Sequence, residues 1–276
     1  MLLFLAALLI WDPYQTREQI NAKCMEIEAP MPEVGLVEEL LVGNTPVRLY
    51  YPASDEDLPL ILFIHGGAWV GGNLDTHDYL ARYLCREVEA LVLSVGYQNA
   101  PEGKFPGPLQ ECYQTLRWSQ GLKTNGRIAV VGDSAGGNLA AALCLLAQSL
   151  LAQTQIDLQV LINPALDLTA PDEFLQWQAA LYVTDSQDLT HPLISPLYAD
   201  RLTGLPPALI LVAEEDPLRS DGERYADRLR EAGVPTTLYC QQGVGHLAGH
   251  AARAAPQALE SLQIAVKSLR LALAKF

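Results

Sequence analysis

Short apolar runs alternate along most of the chain with longer segments in which apolar and polar residues are mixed. Seven runs are rich in leucine and β-branched residues, and the inner ones are apolar throughout, as is typical of strands covered on both faces. We predict strands at residues 47–51, 60–64, 91–95, 128–132, 159–163, 208–213 and 236–240.

The segments between these runs have the mixed pattern of amphipathic helices. Helices are predicted at residues 78–89, 109–119, 138–151 and 223–233. A last helix is predicted near the C-terminus, where apolar residues recur at intervals of three and four. They are Leu259, Leu262, Val266, Leu269 and Leu273. Strands that alternate with helices predict an α/β fold with a mostly parallel, doubly wound sheet.

Two segments depart from the alternation, residues 1–40 and residues 165–205. Long insertions beside the active edge of such a sheet commonly form lids. We therefore predict a catalytic domain over residues 41–276, with residues 1–40 as an N-terminal cap segment and residues 165–205 as a cap insertion. The ten apolar residues at 2–11 are too few for the ~20 of a membrane-spanning helix. We expect a cap helix there, with a membrane-surface anchor as the alternative.

Composition and charge exclude several classes of function. Half of the 276 residues are apolar and 18% are charged, which excludes a disordered chain. The net charge of −14 argues against a nucleic-acid partner, because such proteins present a basic face. The five cysteines are widely spaced without a C-x-x-C pair, as is typical of buried free thiols. We therefore expect a reducing, cytoplasmic location.

The candidate chemistry centres on Gly132, Ser134 and Gly136, a G-x-S-x-G pattern between a predicted strand and an alanine-rich helix. Small residues let the backbone turn sharply there and project the serine hydroxyl above the sheet. The following helix N-terminus favours a developing anion. Ser134 is thus a candidate nucleophile, and a glycine-rich packing turn is the alternative.

A serine nucleophile needs a base and a carboxylate that orients the base, here in the order serine, acid, histidine on loops after later strands. The loop after residues 236–240 offers His246 and His250. Gly243 and Gly245 indicate a tight loop at His246, whereas His250 leads into the C-terminal helix, so His246 is favoured. The loop after residues 208–213 offers four acids, Glu214, Glu215, Asp216 and Asp221.

The loop after residues 60–64 begins with His65 and continues with small residues, whose backbone N–H groups can face an oxyanion. We predict a structural role for His65, with its ring bonded to the backbone. No second ligand lies at metal-binding spacing beside it, so no metal is expected. His77 and His191 lack a strand-end context and are expected to be surface or structural residues.

Together these motifs resemble the hormone-sensitive-lipase family of α/β-hydrolase carboxylesterases, in its bacterial acetyl-esterase-like branch. The resemblance runs from about residue 45 to residue 250. Its carriers are HGGAW (65–69), GNLDTHD (72–78), YQNAPEGKFPGPLQE (97–111), GDSAGGN (132–138), SPLYA (195–199), LPPALILVAEEDPLRSDGE (205–223) and GVGH (243–246).

The resemblance implies an α/β-hydrolase fold with a small helical cap and assigns Ser134 as nucleophile, Asp216 as acid and His246 as base. It further implies an oxyanion hole, a substrate-binding residue and no cofactor. The hole would use the N–H groups of Gly67, Ala68 and Ala135, and Trp69 would bind substrate.

Three positions depart from the family pattern. Ala68 replaces the usual third glycine, which keeps the N–H donor while its methyl group narrows the expected acyl pocket. Gln98 replaces an arginine and Glu111 an aspartate, which puts local supporting contacts in doubt.

The predicted function is that of a serine carboxylesterase that cleaves short-chain acyl esters through an acyl-enzyme intermediate. An amide, formamide or lactone hydrolase with the same triad is one alternative. A non-catalytic ligand-binding protein on this scaffold is another, although such proteins lose a triad member. The expected partner is a small-molecule ester, with no nucleic acid and no membrane. Assembly as a homodimer is left open.

Overall fold

The computed structural model describes residues 12–25, 30–54, 57–150, 155–184, 188–246 and 256–274. Within these residues, eight strands form one sheet in the order β1-β2-β4-β3-β5-β6-β7-β8. They are β1 (Leu36–Val42), β2 (Thr45–Tyr51), β3 (Leu60–Ile64), β4 (Leu91–Val95), β5 (Ile128–Asp133), β6 (Leu158–Ile162), β7 (Ala208–Ala213) and β8 (Thr236–Gln241). All seven predicted strands are confirmed, with bounds shifted by two residues at most.

Helices cover both faces of the sheet. They are α1 (Pro13–Met25), α2 (Asp78–Val88), α3 (Gly107–Ser119), α4 (Ala135–Leu150), α5 (Glu173–Tyr182), α6 (Arg219–Glu231) and α7 (Pro256–Leu273). Alternate residues of β3 enter two separate cores. Leu62 packs in the core with residues of α3, α4 and α6, whereas Phe63 packs in the core with residues of α2 and α7. The apolar run of β3 is therefore buried on both sides, and the predicted fold class is confirmed.

The sequence prediction missed β1, which pairs antiparallel with β2 at the edge of the sheet. Leu36 and Leu41 on this strand are 52% and 68% exposed. A strand that buries so little lacks the continuous apolar run of the inner strands. Residues 36–40 of the segment predicted as an N-terminal cap thus belong to the sheet.

The parallel part of the sheet positions the candidate site. Strands β3 to β8 are parallel, so their carboxyl ends meet at one edge. The chain leaves β3 toward β4 on one side and returns to β5 on the other. Ligands bind at such a switch point in open α/β sheets, in the crevice between the two loops.

Parts of the two predicted cap segments lie beside this crevice. Arg17 on α1 donates hydrogen bonds to Val70 O and Ala100 O, each at 2.7 Å. Trp177 on α5 packs against the same two residues. The apolar residues 2–11 lie outside the described residues. Among the described helices, none has the length and apolar character needed to cross a membrane.

Candidate active site

The turn between β5 and α4 holds Ser134 in a conformation that few residues adopt. Its φ is 52°, in the left-handed region, which is strained for a residue with a side chain and is common at functional sites. The flanking glycines allow the turn. A Cβ atom at Gly132 would overlap Gly136 O, and one at Gly136 would overlap Ile64 O. The G-x-S-x-G pattern is therefore required by close backbone packing.

Ser134, His246 and Asp216 lie in one hydrogen-bonded chain. His246 Nε2 is 3.1 Å from Ser134 Oγ, and His246 Nδ1 is 2.8 Å from Asp216 Oδ2. The Asp216 side chain is fully buried, whereas that of His246 is 32% exposed. Because a carboxylate accepts, the Nδ1–H of the neutral ring donates to Asp216, and Nε2 is left to accept the serine proton.

The other acids of the β7 loop have different partners. Glu214 accepts the N–H of Gly243 at 2.8 Å. Asp221 accepts the N–H groups of Leu166 and Asp167 at 2.9 and 3.0 Å. Of the four acids that residue reasoning left open, Asp216 is the one whose contact with His246 the described residues show. His250 lies outside the described residues.

Asp216 is fixed by two further donors. The N–H of Leu218 donates to Oδ1 at 2.9 Å, and Asn163 Nδ2 donates to Oδ2 at 2.6 Å. Sequence reasoning missed Asn163, which it placed as the last residue of a strand. The available signal was a polar residue at the carboxyl end of a buried strand, at the edge where the other candidate residues lie.

Three consecutive residues of the loop after β3 have left-handed backbone conformations. Gly67, Ala68 and Trp69 have φ values of 126°, 60° and 59°. A Cβ atom at Gly67 would overlap Gly71 O, so this position needs glycine. Within the described part of the chain, the N–H groups of Gly67, Ala68 and Ala135 donate to no protein acceptor. Trp69 is 1% exposed and stacks on Tyr182 with ring centroids 5.1 Å apart.

Buried polar groups connect this loop to the serine turn. Asp133 Oδ1 accepts the N–H of Gly66 at 3.0 Å, and Asp133 Oδ2 is 3.3 Å from His77 Nε2. His65 donates Nδ1–H to Gly66 O at 2.8 Å and stacks on Tyr97. Burial and the nearby His77 lower the pKa of His65 to about 3, so its ring is neutral. The predicted bond between the His65 ring and the backbone is confirmed, and His77, expected to be a surface or structural residue, is buried.

Two other sequence observations have structural outcomes. The N–H of Gln98 donates to Glu111 Oε2 at 2.8 Å, so these two departures from the family pattern contact each other. The five cysteines are free thiols, and all except Cys240 are buried. Among the described residues, no three His, Cys, Asp or Glu side chains are grouped as metal ligands would be.

Comparison with known proteins decides the family. A family model described as the alpha/beta hydrolase fold matches residues 61–249. The carboxylic ester hydrolase LipN of Mycobacterium tuberculosis is 37% identical over 255 residues, which cover 82% of this chain and 68% of LipN. The chain belongs to the hormone-sensitive-lipase family of α/β-hydrolase carboxylesterases. Its enzyme class is that of the carboxylic ester hydrolases, as the sequence predicted.

Two more members of this carboxylesterase family extend the comparison. An ethyl acetate hydrolase of Pseudomonas putida is 36% identical over 230 residues, which cover 74% of this chain and 71% of that protein. The solved structure of a hyperthermophilic esterase from the archaeon Pyrobaculum calidifontis has a TM-score of 0.88 and 32% identity. The matched region makes up 99% of this chain and 98% of the esterase chain.

Proposed function

We propose that the protein is a serine carboxylesterase that hydrolyses short-chain acyl esters with Ser134 as nucleophile, His246 as base and Asp216 as acid. The contact of all three side chains in one chain of hydrogen bonds carries this proposal. A serine hydroxyl is a weak nucleophile until a positioned base removes its proton. The buried carboxylate of Asp216 orients the imidazole and stabilises its charged form.

The reaction has two halves. Ser134 Oγ attacks the ester carbonyl carbon while His246 Nε2 takes the hydroxyl proton. The tetrahedral intermediate then collapses, and the alcohol leaves with that proton. Water attacks the acyl-enzyme with His246 again as base, which releases the acid and restores the serine. The N–H groups of Gly67, Ala68 and Ala135, which donate to no protein acceptor in the described residues, would stabilise both oxyanions.

Short acyl groups are proposed because several features reduce the space beside the oxyanion loop. The methyl group of Ala68 stands where the family has glycine, and Trp69 packs on Tyr182 from α5. We propose that α1 and α5, which come from the two predicted cap segments, form part of a cap over the site, with Trp69 as part of the substrate pocket. The ethyl acetate hydrolase among the relatives supports a small ester as substrate. The free thiols support a cytoplasmic location.

A series of p-nitrophenyl esters of increasing acyl length tests the substrate class. We expect kcat/KM to peak at roughly two to six acyl carbons, as suits a finite pocket. Efficient hydrolysis of long-chain triglyceride emulsions would contradict this. Matched p-nitroanilides and lactones distinguish the amidase and lactonase alternatives, and the absence of turnover on all substrates would favour a ligand-binding protein.

A further inference from the structure

Asn163 contacts the candidate acid, and the residue before it contacts the candidate nucleophile. Its Nδ2 group donates to Asp216 Oδ2 at 2.6 Å, and the same oxygen accepts the Nδ1–H of His246 at 2.8 Å. Asn163 and Asp216 are 3% and 5% exposed. Two donors from different loops therefore converge on one buried carboxylate oxygen, which fixes the rotation of the carboxylate.

The backbone of Asn163 is held as firmly as its side chain. Its φ is 45°, in the left-handed region that asparagine tolerates better than most residues. Its N–H donates to Leu211 O on β7, the strand that leads to Asp216. The residue before it, Ile162, accepts the N–H of Ser134 at 2.8 Å. One short segment thus contacts both ends of the hydrogen-bonded chain.

We propose that Asn163 is a positioning residue that sets the orientation and the hydrogen-bonding strength of Asp216 toward His246. Its amide shares the charge of Oδ2, which limits how strongly Asp216 stabilises the protonated imidazole. Loss of the amide leaves the carboxylate held only by the N–H of Leu218 and by His246, and it removes this limit. This inference rests on the proposed function, in which Asp216 and His246 activate Ser134.

The variant Asn163→Gly separates this role from a requirement of the backbone, because glycine adopts the left-handed conformation freely. We expect kcat to fall about 10- to 100-fold, as for the loss of a hydrogen bond to a charged group. KM should stay nearly unchanged, and the acidic limb of the pH profile of kcat/KM should move to higher pH. Glu89→Gly is the control, since Glu89 is an exposed residue with a φ of 58° and should keep full activity.

The variant Asn163→Asp gives a second test, because the side chain keeps nearly the same shape and changes only its charge and its hydrogen-bond donor. An ionised carboxylate at residue 163 would repel Asp216, whereas a protonated one can donate to it as the amide does. On the plateau of the wild-type pH profile, above its acidic limb, the activity of this variant relative to the wild type should therefore rise as the pH falls. The neighbouring acids keep their own donors in both proteins, so their effects cancel in the ratio. They are Asp133 at Gly66, Glu214 at Gly243, and Asp221 at Leu166 and Asp167.

Labelling of the wild type with an organophosphate separates a failure of the positioning role of Asn163 from a failure of the proposed function. If the wild type is labelled at Ser134 and Asn163→Gly keeps the wild-type kcat and pH profile, the positioning role is wrong while the proposed function stands. If Asn163→Gly does not fold, a flat pH ratio for Asn163→Asp also overturns the positioning role. If Ser134 is not labelled in the wild type, the proposed function itself fails.

Discussion

Ser134 Oγ lies 3.1 Å from His246 Nε2, although 112 positions separate the two residues in the chain. Ser134 follows β5, and His246 follows β8, which lies three strands away in the sheet. The loop after β8 therefore has to extend back across the ends of β7 and β6. This return contact places a titratable ring within reach of the serine proton.

The first prediction concerns which histidine acts as the base. Because His246 contacts both Ser134 and Asp216, His246→Ala should lower kcat by about 10³-fold or more. The double variant with Ser134→Ala should be little worse than either single variant, since the residues act as a unit. His250→Ala should keep most of its activity, as should His191→Ala, which changes an exposed histidine. Steady-state kinetics of these five variants and of the wild type checks this, and the reverse order of His246 and His250 would contradict it.

A second prediction tests Asp216 without a change of shape. In Asp216→Asn the side-chain amide can donate to His246 Nδ1, which puts the ring proton on Nε2 and prevents that atom from accepting the serine proton. We expect kcat to fall by roughly 10³- to 10⁴-fold while the fold is kept. Glu214→Gln is the matched control from the same loop and should retain activity, because Glu214 contacts Gly243. Equal losses in the two variants would mean that the acid is wrongly assigned.

Ala68→Gly tests the oxyanion loop. Ala68 has a φ of 60°, which glycine adopts without strain, so thermal unfolding should show equal or higher stability, by up to about 1 kcal/mol. The N–H donor is retained, so turnover of acetyl esters should change little. Loss of the methyl group should favour longer acyl chains. A large loss of acetyl ester turnover would show that the methyl group itself is needed.

The pH dependence of stability should reveal the buried ring of His65. Burial lowers its pKa to about 3, whereas in the unfolded chain it titrates near 6.5. As the pH falls below about 6.5, the unfolded chain binds a proton at this residue while the folded chain does not. The contribution of the neutral His65 ring to the free energy of unfolding is therefore fully present only above that pH. It is lost by about 1.4 kcal/mol per pH unit as the pH falls toward 3.

Denaturant unfolding of His65→Asn measures this contribution. The free-energy difference from the wild type should shrink as the pH falls below about 6.5, and a difference independent of pH would contradict the buried neutral ring.

The carboxyl group of Asp221 should affect the free energy of unfolding over a different range of pH, which denaturant unfolding of Asp221→Asn and the wild type measures. Burial raises the pKa of Asp221 to about 6, so the folded protein binds its proton first and gains stability as the pH falls from about 6 to 4.

The sequence predicted the inner strands and the loops of the site because both have local signals. The apolar runs of β3 and β5 are continuous, and the small residues around Ser134 are required by close backbone packing. The strand β1 was missed because its leucines are exposed. The bond from Asn163 to Asp216 and the contact between Asp133 and His77 were missed because they form only when distant segments meet. The local pattern shows that Asn163 is a polar residue at the end of a buried strand, but it does not show which residue Asn163 contacts.

The most direct test of the proposed chemistry is the site of covalent labelling by diethyl p-nitrophenyl phosphate. Ser134 Oγ should attack phosphorus, expel p-nitrophenolate and form a stable diethylphosphoryl ester, because His246 cannot readily activate water against it. The account predicts stoichiometric release of p-nitrophenolate, loss of esterase activity, and the added mass on the peptide that contains Ser134 alone. Ser134→Ala should fold normally and remain unlabelled. Label on another residue, or wild-type turnover by Ser134→Ala, would contradict the account.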